Sequence, residues 1–430
     1  MRILFVAFVF LFLLSTSARA QTNSCKVGDA NNDGLVNIAD FAVWRKIFLA
    51  GSPTTNPTNP PTVQPTISPD SINIQTYGAT ANDTTDDTSA IQNALNAATA
   101  GKVVVVPPGT FIQTDILTVP AGVTLRSESP RTGIINAPNV ERQSIVLKDN
   151  AKLINLKLTS PATVRGSIFE HHRIVLNDAD GVLVQGNHID GGTAAGIYIY
   201  SATNYQILDN LIENTLADGI HNTAGSSNGL VKGNTLNKVG DDGVAVVSYV
   251  QDGDYTHDIT ITNNIMTDGI GRGITVVGGK NVLIENNTIT HTRAAGLYFA
   301  SEDSYNTYAA KDVTAKNNII DRANYEVPLE HAGIFAYARA GTAVAGGQPV
   351  TLQNERLRIT GNTVKDTMSK NWHVAFIDMY SKDVYLANTT ITGAVNKTPV
   401  NMTPPATQYF MENNTFNGEL LPNGGTATFR

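Results

Sequence analysis

A single cysteine, Cys25, in 430 residues excludes an internal disulfide, so the fold is stabilised by burial alone. Thr22-Asn23-Ser24 precedes it, not the apolar and small residues that lead into a lipidated cysteine. Positive charge is not in excess either. The chain has 30 Lys and Arg against 37 Asp and Glu, with a pI near 5.6. That balance excludes the electropositive field a nucleic-acid binder needs. Long apolar runs are confined to the start, where Arg2 is followed by Ile3 to Leu14 and then by Ala18-Arg19-Ala20. This is the pattern of a secretory signal over residues 1–20, cut after Ala20. No later segment approaches the roughly 20 apolar residues of a membrane-crossing helix. A secreted or surface-attached protein that does not span a membrane is expected.

What is abundant is Asn, Thr, Gly and short aliphatic runs. Residues 50–70 are rich in Pro, Thr and Asn and too poor in apolar side chains to pack, so they read as a semi-extended linker. Ahead of it, residues 25–49 contain Asp29, Asn31, Asp33, Asn37 and Asp40 at positions 1, 3, 5, 9 and 12 of a loop with glycine at position 6. Those oxygens, with the Leu35 carbonyl, can surround a hard cation once Gly34 permits the sharp turn. Calcium is the expected cofactor there, followed by a helix over Ile38 to Leu49. The stretch resembles one half of a dockerin, which implies a cohesin-like scaffold as partner.

After the linker, Asp86 to Ala98 opens with capping residues and continues with helical apolar spacing. Short strands follow at Val103–Phe111 and Leu117–Leu125, each ended by turn residues. Tyr77-Gly78-Ala79, the capped helix and Pro107-Pro108-Gly109-Thr110-Phe111 together resemble the start of pectate-lyase-like β-helices. The resemblance implies a helix that covers the open end of the coil.

From about Leu153 the chain repeats. Asn187, Asn210, Asn234, Asn264, Asn287, Asn318, Asn362 and Asn414 each sit in a unit such as Gly-Asn-Thr-Leu, and the closest are 23 and 24 residues apart. Each unit reaches a second landmark, among them Gly196-Ile-Tyr, Gly219-Ile-His, Gly243-Val-Ala, Gly273-Ile-Thr and Gly296-Leu-Tyr. Such a period suits one coil of three short strands, so residues 71–430 are expected to form an all-β right-handed parallel β-helix. Extra residues at 249–257, 301–312 and 337–355 follow the glycine-led strand and should form a wall on one face.

Aligned on the glycine, neighbouring coils lie about 4.8 Å apart. The alignment puts Asp218, Asp242 and Arg272 in one column, Asp241 beside it, and His221 in the outward column between Tyr198 and Tyr298. Strict alternation would turn Asp218 and Asp242 inward, where an unpaired carboxylate costs several kcal/mol. A glycine in a backbone conformation closed to other residues is the expected escape. Clustered carboxylates repel, so one should hold its proton, and a glycosidase needs that split between an acid and an ionised partner. Tyr198, Tyr249 and Tyr298 are candidate platforms for sugar rings, and Glu170-His171-His172, Glu302-Asp303 and Glu330-His331 are further candidates for the same cleft.

The series Leu216-Ala217-Asp218-Gly219-Ile220, Gly240-Asp241-Asp242-Gly243-Val244, Gly271-Arg272-Gly273-Ile274 resembles that of the polygalacturonase family on successive coils. The resemblance implies a polysaccharide hydrolase. Asp241 or Asp242 would be the general acid, and Asp218 with the other aspartate would activate water. Arg272 stands where the family has histidine, which motivates a second reading: a calcium-dependent lyase or epimerase with Arg272 as base. A third is a glycan-binding solenoid without catalysis. The acidic chain favours a neutral glycan, or an acidic one bridged by a cation.

Overall fold

The computed structural model describes residues 71–325, 331–367, 375–393 and 398–430. The expected signal, the calcium loop with Asp29 to Asp40, Cys25 and the linker lie outside the described residues, as does Glu330.

The described chain winds as a parallel β-helix of three sheets, with 14, 13 and 11 strands. Each coil gives one strand to each sheet, and every ladder between coils is parallel. The third sheet carries the glycine-led strands. It runs through Ile197–Tyr200, Ile220–Thr223, Val244–Val247, Ile274–Val277 and Leu297–Ala300 in direct register, Ile197 against Ile220, Val244, Ile274 and Leu297. Alternation sends these aliphatic residues inward, where with Ile199, Val246, Val276 and Phe299 they join one continuous buried core.

The corner between the first and second sheets explains the Asn repeat. In Gly186-Asn187, Asp209-Asn210, Gly233-Asn234, Asn263-Asn264, Asn286-Asn287, Asn317-Asn318 and Gly361-Asn362, the first residue has φ between 54° and 70°. Gly, Asn and Asp reach that left-handed region at least cost, so they recur there. The second residue is a fully buried Asn whose amide stacks on the next. Asn264 Oδ1 accepts from the Asn234 main-chain N–H and Nδ2, while its own Nδ2 donates to the Val231 carbonyl and Asn287 Oδ1. The ladder breaks at Thr389, which donates its N–H to Asn414 Oδ1.

The ends of the coil are closed. The α-helix Thr88–Ala97 buries Ile91, Ala94 and Leu95 on the first coils. The Asp87 carboxylate accepts from the Thr80 and Ile112 main chain, pinning the helix start to a strand. At the other end, Tyr409–Glu412 and Thr415–Phe416 pair with Gly424–Gly425 and Glu419–Leu420 in antiparallel fashion, covering the final parallel edge. No helix among the described residues is long and apolar enough to cross a membrane.

Candidate active site

The three insertions pack into one wall beside the third sheet. Tyr255 and Tyr308 meet at 4.7 Å between ring centres. They share a buried cluster with Ala345 and Leu352, and the hairpin Thr342–Ala345/Gln348–Thr351 closes over it. Tyr249 bridges to Thr307, and Arg339 ties the loops together through Asp303, Asn306 and the Thr307 carbonyl.

Between this wall and the sheet lies an open cleft. Asp218, Asp241, Asp242, His221, Arg272, Arg165, Glu302, Tyr249 and Tyr305 line it, over a floor that includes Ala245, Val247 and Val277. An oxygen from each of Asp218, Asp241 and Asp242 lies within 4.8 Å of the others.

The column before the glycine holds these acids by an unusual exchange of acceptors. Asp218 Oδ1 takes the main-chain N–H of Asp242 at 2.9 Å, and Asp242 Oδ1 takes that of Arg272 at 3.0 Å. One coil before Asp218, the Ala195 N–H donates in the same way to His172 Nδ1. Each carboxylate is thereby fixed by the next coil. The glycines act differently from expectation. Gly219, Gly243 and Gly273 are absent from the positive-φ positions. They are required for lack of space: a Cβ on Gly243 would fall 2.6 Å from the Gly273 carbonyl oxygen and 2.8 Å from Met266 Sδ.

Around the acids, charges are paired. Asp218 Oδ2 meets His221 Nδ1 at 2.5 Å. Arg165 Nη2 meets Asp241 Oδ2 at 2.7 Å. Arg272 reaches Glu302 at 3.0 Å and lies 3.5 Å from Asp242 and 3.9 Å from Asp241, with its guanidinium 4.6 Å above the Tyr298 ring.

These surroundings divide the three carboxyls. Burial pushes the Asp242 carboxyl up to about 7, assisted by the neighbouring Asp218 and Asp241 charges and opposed by Arg272. Burial, then the Asp218 charge, also raises Asp241 against the pull of Arg165. Asp218 is itself buried, yet its hydrogen bond and charge pairing with His221 and the Asp242 N–H hold it below the usual carboxylate range. Below about pH 7 the Asp241/Asp242 pair therefore holds a proton beside an ionised Asp218. Arg272 is desolvated, but Asp242 and Glu302 outweigh that and bind its proton more firmly.

Asp218, Asp241, Asp242, His221, Arg272 and Tyr249 thus converge on one cleft. Tyr198 and Tyr298 do not offer a sugar platform. Tyr198 is stacked between His172 at 3.9 Å and His221 at 5.4 Å. Tyr298 is 4 % exposed, covered by Arg272 and stacked on Phe335. Of the other candidates, Glu302 lines the cleft, Asp303 is in the wall, His171 pairs with Glu141, and His331 stacks against Tyr298. Sequence reasoning missed Arg165 and Tyr305. Arg165 lies in the irregular segment 160–168, an insertion before the glycine-led strand, whereas the sequence reading followed insertions after it.

A pectate-lyase-like solenoid with a carboxylate cleft is the class this fold and site define. The family model "Rhamnogalacturonase A/epimerase, pectate lyase-like" matches residues 71–298, more than half of the chain, and the chain belongs to that family. A right-handed β-helix model matches residues 249–391. No curated protein matches. Among solved structures, the catalytic unit of a GH87 alpha-1,3-glucanase from Streptomyces thermodiastaticus aligns with TM-score 0.62 and 18 % identity, over 82 % of this chain and 70 % of that one. An exopolygalacturonase from Thermotoga maritima aligns with TM-score 0.59 and 14 % identity, over 84 % and 95 %. The A-module of a mannuronan C-5 epimerase from Azotobacter vinelandii gives TM-score 0.51 and 14 % identity, over 80 % and 100 %. At such identities the likeness is one of fold.

Proposed function

We propose that this protein hydrolyses glycosidic bonds of a polysaccharide in the cleft on its third sheet. The observation that carries the reading is the trio Asp218, Asp241 and Asp242: three carboxyls within 4.8 Å, walled by loops, one held ionised and two raised. Hydrolysis needs a proton for the leaving oxygen and an ionised group for the opposite side of the reaction. In this reading the Asp241/Asp242 pair supplies the acid, and Asp218 with the remaining aspartate activates water. His221 orients Asp218, while Arg165 and Arg272 limit the charge of the cluster.

A lyase or epimerase with Arg272 as base has less support, because its carboxylate neighbours strengthen its hold on the proton it would have to release. A cation among the three aspartates also fits poorly, since guanidinium and main-chain donors already take their oxygens. The expected export signal and calcium loop accord with action on glycans outside the cell.

The test is a comparison of Asp218→Asn, Asp241→Asn and Asp242→Asn on a polysaccharide and on an aryl glycoside of the same sugar. A variant lacking the acid recovers turnover when the leaving group needs no proton, and Asp218→Asn stays inactive on both. Undiminished polysaccharide turnover in all three variants would sink the assignment.

A further inference from the structure

Resting on the hydrolase reading, we infer that the cleft takes an uncharged glycan and discriminates against uronate chains. The inference comes from the charge inventory of the lining. Among the described residues the arginines there are Arg165 and Arg272, beside four carboxyl groups, Asp218, Asp241, Asp242 and Glu302, with one proton held by the Asp241/Asp242 pair. Both guanidiniums are already committed, Arg165 to Asp241 and Arg272 to Glu302 and Asp242. In the wall, Arg339 is committed to Asp303, and His221 in the cleft is committed to Asp218.

A uronate carboxylate entering this space finds no cation free to receive it. Recruiting Arg165 or Arg272 to it would strip Asp241 or Asp242 of a counterion in a desolvated place, and like charges brought together oppose binding. A neutral sugar meets complementary chemistry. Its hydroxyls donate to the carboxylate oxygens, and its C–H face can lie on Ala245, Val247 and Val277 or against Tyr249 and Tyr305, of which Tyr305 is 63 % exposed.

The experiment measures binding of the full chain, by calorimetry, to soluble glucans, galactans, mannans and xylans and to uronate chains, including a galacturonan and the galactan made from it by carboxyl reduction. The tightest neutral glycan is expected to bind at least about tenfold more tightly than any uronate chain. Asp241→Asn, which frees Arg165 and removes one negative charge, should narrow that ratio. Tightest binding to a uronate chain, weaker binding after carboxyl reduction, or no binding to any neutral glycan would each overturn the inference. Turnover on the same panel judges the hydrolase reading separately. Neutral preference without turnover defeats only that reading, and hydrolytic cleavage of a uronate chain defeats only the charge preference.

Discussion

Replacing Asn264 by alanine removes one rung from the buried amide ladder. Four hydrogen bonds disappear, two accepted by Oδ1 from Asn234 and two donated by Nδ2 to Val231 and Asn287. At about 1 kcal/mol net per bond, the loss is about 4 kcal/mol. The true figure lies at or above this, because the Asn234 N–H is left buried without a partner, and such a group carries a desolvation cost of about 1–3 kcal/mol. Lys232→Ala, at an exposed strand position beside the same corner, should stay within about 0.5 kcal/mol of the native protein. Urea unfolding followed by circular dichroism compares the two variants. A loss below about 1 kcal/mol for Asn264→Ala would refute the view that the ladder holds this corner.

Three further outcomes follow from the site. Asp242 has a folded-state value near 7, above that of an unfolded carboxyl, so its contribution to stability is complete below about pH 4 and is lost as pH rises through 7. Asp242→Asn should therefore gain on the native protein between those limits by an amount on the order of 1 kcal/mol per pH unit, read from thermal unfolding at each pH, and a flat difference would contradict this. Gly243→Ala drives a methyl into the Gly273 carbonyl and Met266, so it should destabilise by about 1–3 kcal/mol and depress turnover through displacement of Asp242. Arg272→Met removes the charge that lowers Asp242, so the alkaline arm of the pH–rate profile should move upward with activity retained, whereas loss of activity at every pH would favour Arg272 as the base.

Much of this was legible in the chain because a solenoid writes its geometry as a period. The Asn spacing alone locates the corner, and the glycine column alone brings Asp218, Asp241, Asp242 and Arg272 together. The coil begins earlier than the repeat, since Ser71–Asn73 already pairs with Val103–Val105, where no Asn ladder marks the turns. Outward direction proved a poor guide to exposure. Tyr198 and Tyr298 point away from the core, yet parallel stacking places another ring or a guanidinium on their faces. Arg165 was hidden because it is 76 residues from Asp241 and arrives on a loop without periodicity. The glycine column is plain in the sequence but its reason is not: the column needs glycine for close approach between coils and not for a left-handed turn.

The central claim is hydrolysis, and water must then enter the product. The most direct test incubates the purified protein with the polysaccharide it binds best in water enriched in oxygen-18 and weighs the products by mass spectrometry. The account predicts saturated oligosaccharides with one heavy oxygen for each bond broken, and their disappearance in Asp242→Asn. Unsaturated products without the label would contradict it and point to elimination instead.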